Sequence, residues 1–205
     1  MKENLFVPEP LYPKILSEDK KYGPLNEAEL WEAFKVGDEG AFMRIYNTYF
    51  EYLCDFGVQY ASLDIVEDAV QDLFIDLRKR RDKLPPIKNS ILLFLFQCLK
   101  RRILNILKKE KRAGDKITSD IAFGISPSQE TVIILNQEQQ IRVERLNRAL
   151  ANLNDRQREA IYYYFYKGMV YEDVREMLGF KNVKSARNFI YKVVGALRKN
   201  FLIFF

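Results

Sequence analysis

Tyr171-Glu-Asp-Val-Arg-Glu-Met-Leu-Gly179, then Phe180-Lys-Asn182, then Val183-Lys-Ser-Ala-Arg-Asn-Phe-Ile-Tyr-Lys192 is the stretch that decides the fold. Tyr171 to Leu178 reads as a short helix, with Glu172 and Asp173 favouring its positive N-terminal end. Gly179 suits a left-handed C-cap, and Phe180-Lys181-Asn182 supplies the turn. A second helix opens at Val183, where Val183, Ala186, Ile190, Val193 and Leu197 recur at helical spacing and define an inner face. Two helices joined by a tight glycine-containing turn form a helix-turn-helix, whose second helix fits a DNA major groove. Arg187, Asn188, Tyr191 and Lys192 fall together on its outer side. Arg pairs bidentately with guanine and Asn with adenine, while Lys favours phosphate. On pattern alone the competing reading is an ordinary helical hairpin with a solvated face.

Outward from this stretch the same spacing persists, and β-type alternation is absent. Asn154-Asp-Arg-Gln157 reads as a capping box for the preceding helix. Ser126-Pro-Ser-Gln129 combines a hydroxyl cap with proline at the first helical position. Residues 113–126 carry glycines and no periodicity, so they read as a linker. Residues 26–112 predict four helices. Asn26 caps the first, which ends near Gly37. Asp38 opens the second, with Phe42, Ile45, Tyr46, Tyr49, Phe50, Leu53 and Phe56 on one face. Asp64 caps the third, with Val66, Ala69, Val70, Leu73, Phe74 and Leu77 inward and Glu67, Asp68, Gln71, Asp72 and Asp76 outward. Leu84-Pro85-Pro86 breaks the chain, and Asn89 caps a fourth helix that turns basic from Lys100. Residues 1–25, rich in proline, read as an irregular arm. The expected fold is therefore all-α: two helical domains, 26–112 and 127–205, joined by a flexible linker. The second is a four-helix helix-turn-helix domain without a wing.

Charge is segregated along the chain. Residues 1–77 hold 6 Lys/Arg against 16 Asp/Glu, whereas residues 78–112 hold 13 against 2. An acidic block beside a basic one points to two partners, one of them a polyanion. With 0 His among 205 residues, the commonest metal ligand and general base are missing, and two distant cysteines, Cys54 and Cys98, make no zinc site. They read as buried small hydrophobes in a reducing compartment. No apolar run reaches the roughly 18 residues a membrane span needs, and no secretory signal opens the chain. The expectation is a cytoplasmic, non-enzymatic protein with no metal, cofactor or small-molecule substrate.

Leu153-Asn-Asp-Arg-Gln-Arg-Glu-Ala-Ile161, Lys167-Gly168, Tyr171-Glu-Asp-Val174, Met177-Leu-Gly179 and Ser185-Ala-Arg-Asn188 through Ala196-Leu-Arg198 resemble the second domain of extracytoplasmic-function sigma factors. The Ser-Ala-Arg-Asn form is similar to versions found in Bacteroidota. Trp31-Glu-Ala-Phe34, Gly37-Asp-Glu-Gly-Ala-Phe42, Tyr46-Asn-Thr-Tyr-Phe50 and Val66-Glu-Asp-Ala-Val-Gln-Asp-Leu-Phe74 resemble the first domain. The resemblance covers residues 27–112 and 127–200 in the family's order. It implies two main partners, core RNA polymerase and promoter DNA, with an anti-sigma factor as a third. Asp68, Gln71, Asp72 and Phe74 would meet a coiled coil of the largest catalytic polymerase subunit. Lys88, Lys100, Arg101, Arg102, Lys108 and Arg112 would engage and melt the minus-ten element. Lys184, Ser185, Arg187, Asn188, Tyr191 and Lys192 would read the minus-thirty-five element, and the linker would thread toward the polymerase active-site channel.

Two positions depart from the family pattern. Lys100-Arg101 followed by Asn105 stands where the family often has Arg-Asn before a later Asp, which bears on base identity at minus ten. Val170 stands where Ser often caps the first helix of the helix-turn-helix. Residues 1–25 and the tail Phe201-Leu-Ile-Phe-Phe205 have no family counterpart; the tail reads as packing on the last helix or as a partner patch. Two rival functions share some of these features. A standalone helix-turn-helix regulator would need a dimer interface or ligand pocket in the first domain. A recombinase-type enzyme would need a nucleophile or carboxylate metal cluster, yet the acids of residues 64–76 lie along one helix face.

Overall fold

Apolar residues three and four apart force the first half of the chain into helices that hide one face each. The computed structural model describes residues 27–87, 90–113, 145, 146 and 148–202. The chain divides into two compact units, one within Pro13–Ala122 and one containing Phe123–Phe205. Every regular element described is helical. The expected arm, linker, Asn26 cap and Ser126 helix start lie outside the described residues.

In the first unit, helix α1 (Glu27–Lys35) buries Leu30, Trp31 and Phe34. Asp38 caps α2 (Glu39–Gly57), accepting from the amides of Gly40 at 2.8 Å and Ala41 at 3.1 Å. Helix α3 (Leu63–Lys79) starts from Ser62 with no side-chain cap bond. Asp64, expected as the cap, instead lies in the first turn, where its charge complements the helix dipole. Gly57 lets α2 pack tightly on α3, because a Cβ there would press into the γ carbons of Val66.

A short 3-10 turn, Arg81–Lys83, and an extended Leu84-Pro85-Pro86 segment lead to α4 (Ile91–Ala113). The break is held in place, since Trp31 Nε1 donates to the Pro85 carbonyl at 2.9 Å. The α4 cap comes from Ser90, whose Oγ accepts from the Leu93 amide at 3.0 Å. Asn89, the residue expected there, lies outside the described residues. Glu27 ties three helices together. Its Oε2 accepts from the Ile91 amide at 2.7 Å and its Oε1 from the Tyr49 hydroxyl at 3.0 Å. Burial first, then the Glu27 charge and hydrogen bond, push the Tyr49 phenol pKa well above its ordinary value of 10.0. Stacked Phe56 and Phe96 rings, 4.2 Å apart, join α2 to α4.

In the second unit, the box read at Asn154 is complete. Asn154 and Gln157 exchange side-chain-to-amide bonds, each 3.0 Å, at the start of α5 (Asp155–Ile161). The helix widens into a π turn, Tyr162–Tyr166, before α6 (Tyr171–Leu178) and α7 (Val183–Leu202). Leu150, Leu153, Ile161 and Val193 form the core, with Phe165, Phe189, Val194 and Leu197 packed on it.

Candidate nucleic-acid and protein interfaces

Period 3.6 on α3 places Asp64, Glu67, Asp68, Gln71, Asp72 and Ile75 on its solvent side, while Val66, Ala69, Val70, Leu73, Phe74 and Leu77 are buried. Asp68, Gln71 and Asp72 are therefore where a docking partner could reach them. Phe74 is not. At 2% exposure it packs edge-on to Phe42 and Tyr46, so it holds α3 in the core and cannot be a contact residue. The apolar residue this face does offer is Ile75, 49% exposed. Its signal in the sequence is an aliphatic residue one helical turn after Gln71, out of step with the inward set.

Helix α4 carries the basic cluster, and the structure divides it. Arg101 and Lys108 are exposed. Lys100 lies half-buried with its ammonium over the Tyr60 ring, 5.8 Å from the centroid. Arg102 is only 25% exposed, and its guanidinium donates to Asp72 at 3.3 Å and to Asp76. A residue read as a DNA contact is thus committed to carboxylates of α3, because the spacing of α3 and α4 brings these acids within its reach. Lys88 and the Arg112 side chain lie outside the described residues. Beside this cluster, Arg80, Lys83, Arg101 and Lys109 line an open cleft of about 590 Å³ together with Leu84 and Phe94. Asn105 also lines it. Arg80, Lys83 and Lys109 stand outside the residues singled out in the sequence, because only folding brings the α3 end and α4 to one rim.

In the second unit, α6 and α7 form the helix-turn-helix. Gly179 closes α6 at φ 67°, ψ 35°, the left-handed conformation its position demands. Val170 begins α6 without a side-chain cap. The turn is braced by Arg156, whose Nη2 donates to the Leu178 carbonyl at 2.9 Å and whose guanidinium covers the Phe180 ring at 4.7 Å. Asn182 caps α7, accepting at Oδ1 from the Ser185 amide at 2.9 Å and from the Ser185 hydroxyl at 3.0 Å. Ser185, expected on DNA, therefore spends its hydroxyl proton on this cap. Ala186, Ile190 and Val193 are buried on the inner face, with Val183 and Leu197 half-buried beside them. Lys184, Arg187, Asn188, Tyr191 and Lys192 are exposed. Tyr171 stacks on the Tyr164 ring, 4.9 Å between centroids, and burial first, then the neighbouring Tyr164 and Tyr191 phenols, push its pKa up.

Among the described residues no group of three or more His, Cys, Asp or Glu could hold a metal, and no helix is long and apolar enough to cross a membrane. Both cysteines are free thiols whose pKa burial raises.

No family model matches the chain. The ECF RNA polymerase sigma factor SigK of Mycolicibacterium vanbaalenii is 25% identical over 171 residues, spanning 82% of this chain and 81% of that protein. Two solved structures share the fold. CnrH, in complex with the cytosolic domain of CnrY, matches with TM-score 0.56 and 17% identity over 84% of this chain and 95% of its own. The sigma factor RpoE in complex with the anti-sigma factor NepR, from Bartonella quintana, matches with TM-score 0.54 and 21% identity over 79% and 97%. Along four-fifths of its length the chain is thus similar in sequence to an extracytoplasmic-function sigma factor, and it shares the all-helical fold of the two solved structures.

Proposed function

We propose that this chain directs promoter recognition, melting and transcription initiation by core RNA polymerase. The observation that carries the reading is one chain presenting an exposed acidic helix face in one unit and a well-formed helix-turn-helix in the other. Asp68, Gln71 and Asp72 dock on a basic surface of the polymerase, where opposite charge speeds encounter and fixes register. The exposed cations of α4, Arg101 and Lys108 among them, engage the minus-ten region. On α7, Arg187 and Asn188 read base edges of the minus-thirty-five element while Lys192 holds phosphate. Arg102 and Ser185 support these surfaces from behind. The role is positional, and catalysis stays with the polymerase. RpoE is bound to an anti-sigma factor in its structure, and we extend that class of partner to this chain.

The test is transcription in vitro with purified core polymerase, with transcript starts mapped by sequencing. Core enzyme plus this protein should initiate at promoters sharing two spaced elements. Absence of such starts, together with dimeric binding of a palindrome by the protein alone, would identify a standalone helix-turn-helix regulator instead.

A further inference from the structure

The turn of the helix-turn-helix is pinned by a residue outside the motif. Asn154 and Gln157 fix the start of α5 through their reciprocal cap, and Arg156 is the second residue of that helix. Its Nη2 donates at 2.9 Å to the carbonyl of Leu178, 22 residues further along the chain. Leu178 ends α6, so its carbonyl is among those with no partner inside the helix. The Gly179 and Phe180 amides bond the Glu176 and Arg175 carbonyls instead. A cation at this end also opposes the negative end of the α6 dipole. The same guanidinium lies over the Phe180 ring, 4.7 Å from its centroid. Phe180 in turn meets Phe189 of α7, with centroids 5.3 Å apart and planes at 51°. Phe189 packs against the Leu150, Leu153, Ile161 and Val193 core. A line of contacts thus runs from α5 across the turn to the middle of α7.

This line needs an arginine. A guanidinium carries five N–H donors in one plane, so its face can cover a ring while an in-plane N–H reaches a carbonyl. Lysine is a point charge without a plane and cannot do both in one fixed geometry. What the line holds is the rotation of α7 about its axis. Ala186, Ile190 and Val193 keep the helix on the core, and Phe189 flanks that stripe at helical spacing. Arg187 and Asn188, exposed on the other side, swing across the groove with any rotation. Reading a base requires a side chain held to about 0.5 Å and 10–20°.

Resting on the reading of α7 as the DNA-reading helix, we propose that Arg156 is a positioning residue for minus-thirty-five recognition. Acting through Leu178, Phe180 and Phe189, it fixes the rotation of α7 and so the base pairs that Arg187 and Asn188 reach. Specificity is set in part from outside the helix-turn-helix.

The test uses full-length protein in complex with core polymerase. The DNA is a promoter found by transcript mapping, with single-base-pair variants of its minus-thirty-five element. Arg156→Ala should lower affinity for the intact element roughly tenfold, the weight of one hydrogen bond from a charged donor. Affinity for the variant elements should fall less, so discrimination narrows. The salt slope should not change, because no phosphate contact is lost. Arg156→Lys keeps the charge and should still narrow discrimination nearly as far. Phe180→Leu should narrow it too, and adding Arg156→Ala should then cost little more, because the two act in one line. A uniform loss on every element, with the salt slope reduced by about one and restored by Arg156→Lys, would make Arg156 a phosphate contact. Intact discrimination with a lowered thermal unfolding midpoint would make it a structural brace only. Either result overturns the proposal. Arg187→Ala separates the levels. If it flattens discrimination while the Arg156 variants do not, the positioning role alone fails; if neither does, α7 is not the DNA-reading helix and the proposal falls with that reading.

Discussion

Arg102→Ala should damage the fold more than DNA binding. Arg102 reaches two carboxylates on α3, Asp76 with a side chain 38% exposed and Asp72 with one 64% exposed. A half-buried pair is worth about 1 kcal/mol and an exposed one a few tenths. Removing the guanidinium also leaves the like charges of Asp72 and Asp76 one turn apart, with only Arg80 still near Asp76 at 3.8 Å, which costs a further few tenths. The stem of Arg102 adds packing that alanine loses. Together these come to roughly 1–2 kcal/mol, which for a slope of about 2 kcal/mol/M moves a urea midpoint down by roughly 0.5–1 M. The protein supplies its own reporter. Its single tryptophan, Trp31, is fully buried in the first unit, so its fluorescence follows that unit without interference from the other. Arg101→Ala is the matched control, because Arg101 is exposed. It should leave the midpoint within a few tenths of a molar and weaken binding of promoter DNA by the polymerase complex. The reasoning collapses if Arg102→Ala leaves the Trp31 midpoint unchanged while lowering DNA affinity more than Arg101→Ala does.

Asp68→Lys changes an exposed position and should leave stability within about 0.5 kcal/mol, yet weaken core polymerase binding by several kcal/mol, read by calorimetry. Unchanged affinity would remove α3 from the interface. Gly57→Ala should cost roughly 1–3 kcal/mol by overpacking Val66, and adding Val66→Ala should recover much of that loss in the same urea titration. Gly179→Ala should cost about 1–2 kcal/mol because an L side chain resists positive φ there, whereas Gly179→Asn should cost less; far-ultraviolet melting of the two variants ranks them. At alkaline pH the sign follows from the raised Tyr49 pKa. The folded state holds that proton more tightly, so its stabilisation is complete below about pH 10 and declines as pH rises further. Tyr49→Phe should flatten that decline in Trp31-monitored unfolding.

Much of the helical architecture was legible because it rests on local signals. The Asp38 cap, the Asn154 box, the Gly179 terminus and the proline break each depend on residues within a few positions of one another. The caps of α3 and α4 were less so. At α3 a serine with no side-chain bond precedes the helix, and Asp64 acts through charge alone. At α4 the decisive acceptor besides Ser90 is Glu27, 64 residues earlier in the chain. No local rule finds a carboxylate that folding delivers. Phe74 was misplaced for a related reason. A stretch that resembles a binding helix includes residues that face inward, and the inward set Val70, Leu73, Phe74 and Leu77 already contained it.

The charge blocks carry the deeper lesson. Read linearly, residues 1–77 and 78–112 are opposite poles, which suggests two surfaces that act independently. In the fold the poles interlock. Glu39 at the start of α2 meets Arg78 at 2.8 Å and Arg81 at 3.2 Å, and Asp72 and Asp76 meet Arg102. Part of each block is thus used to fasten the helices that bear the other. What remains for partners includes Asp68 and Gln71 on one side and Arg101 and Lys108 on the other. A polymerase surface that binds α3 therefore acts on the same carboxylate, Asp72, that fastens Arg102. Docking that draws Asp72 away leaves Asp76 as the remaining carboxylate partner of Arg102. The Arg102 guanidinium thus links docking on α3 to the seating of α4, and charge reversal at Asp72 should disturb both where reversal at Asp68 disturbs only docking.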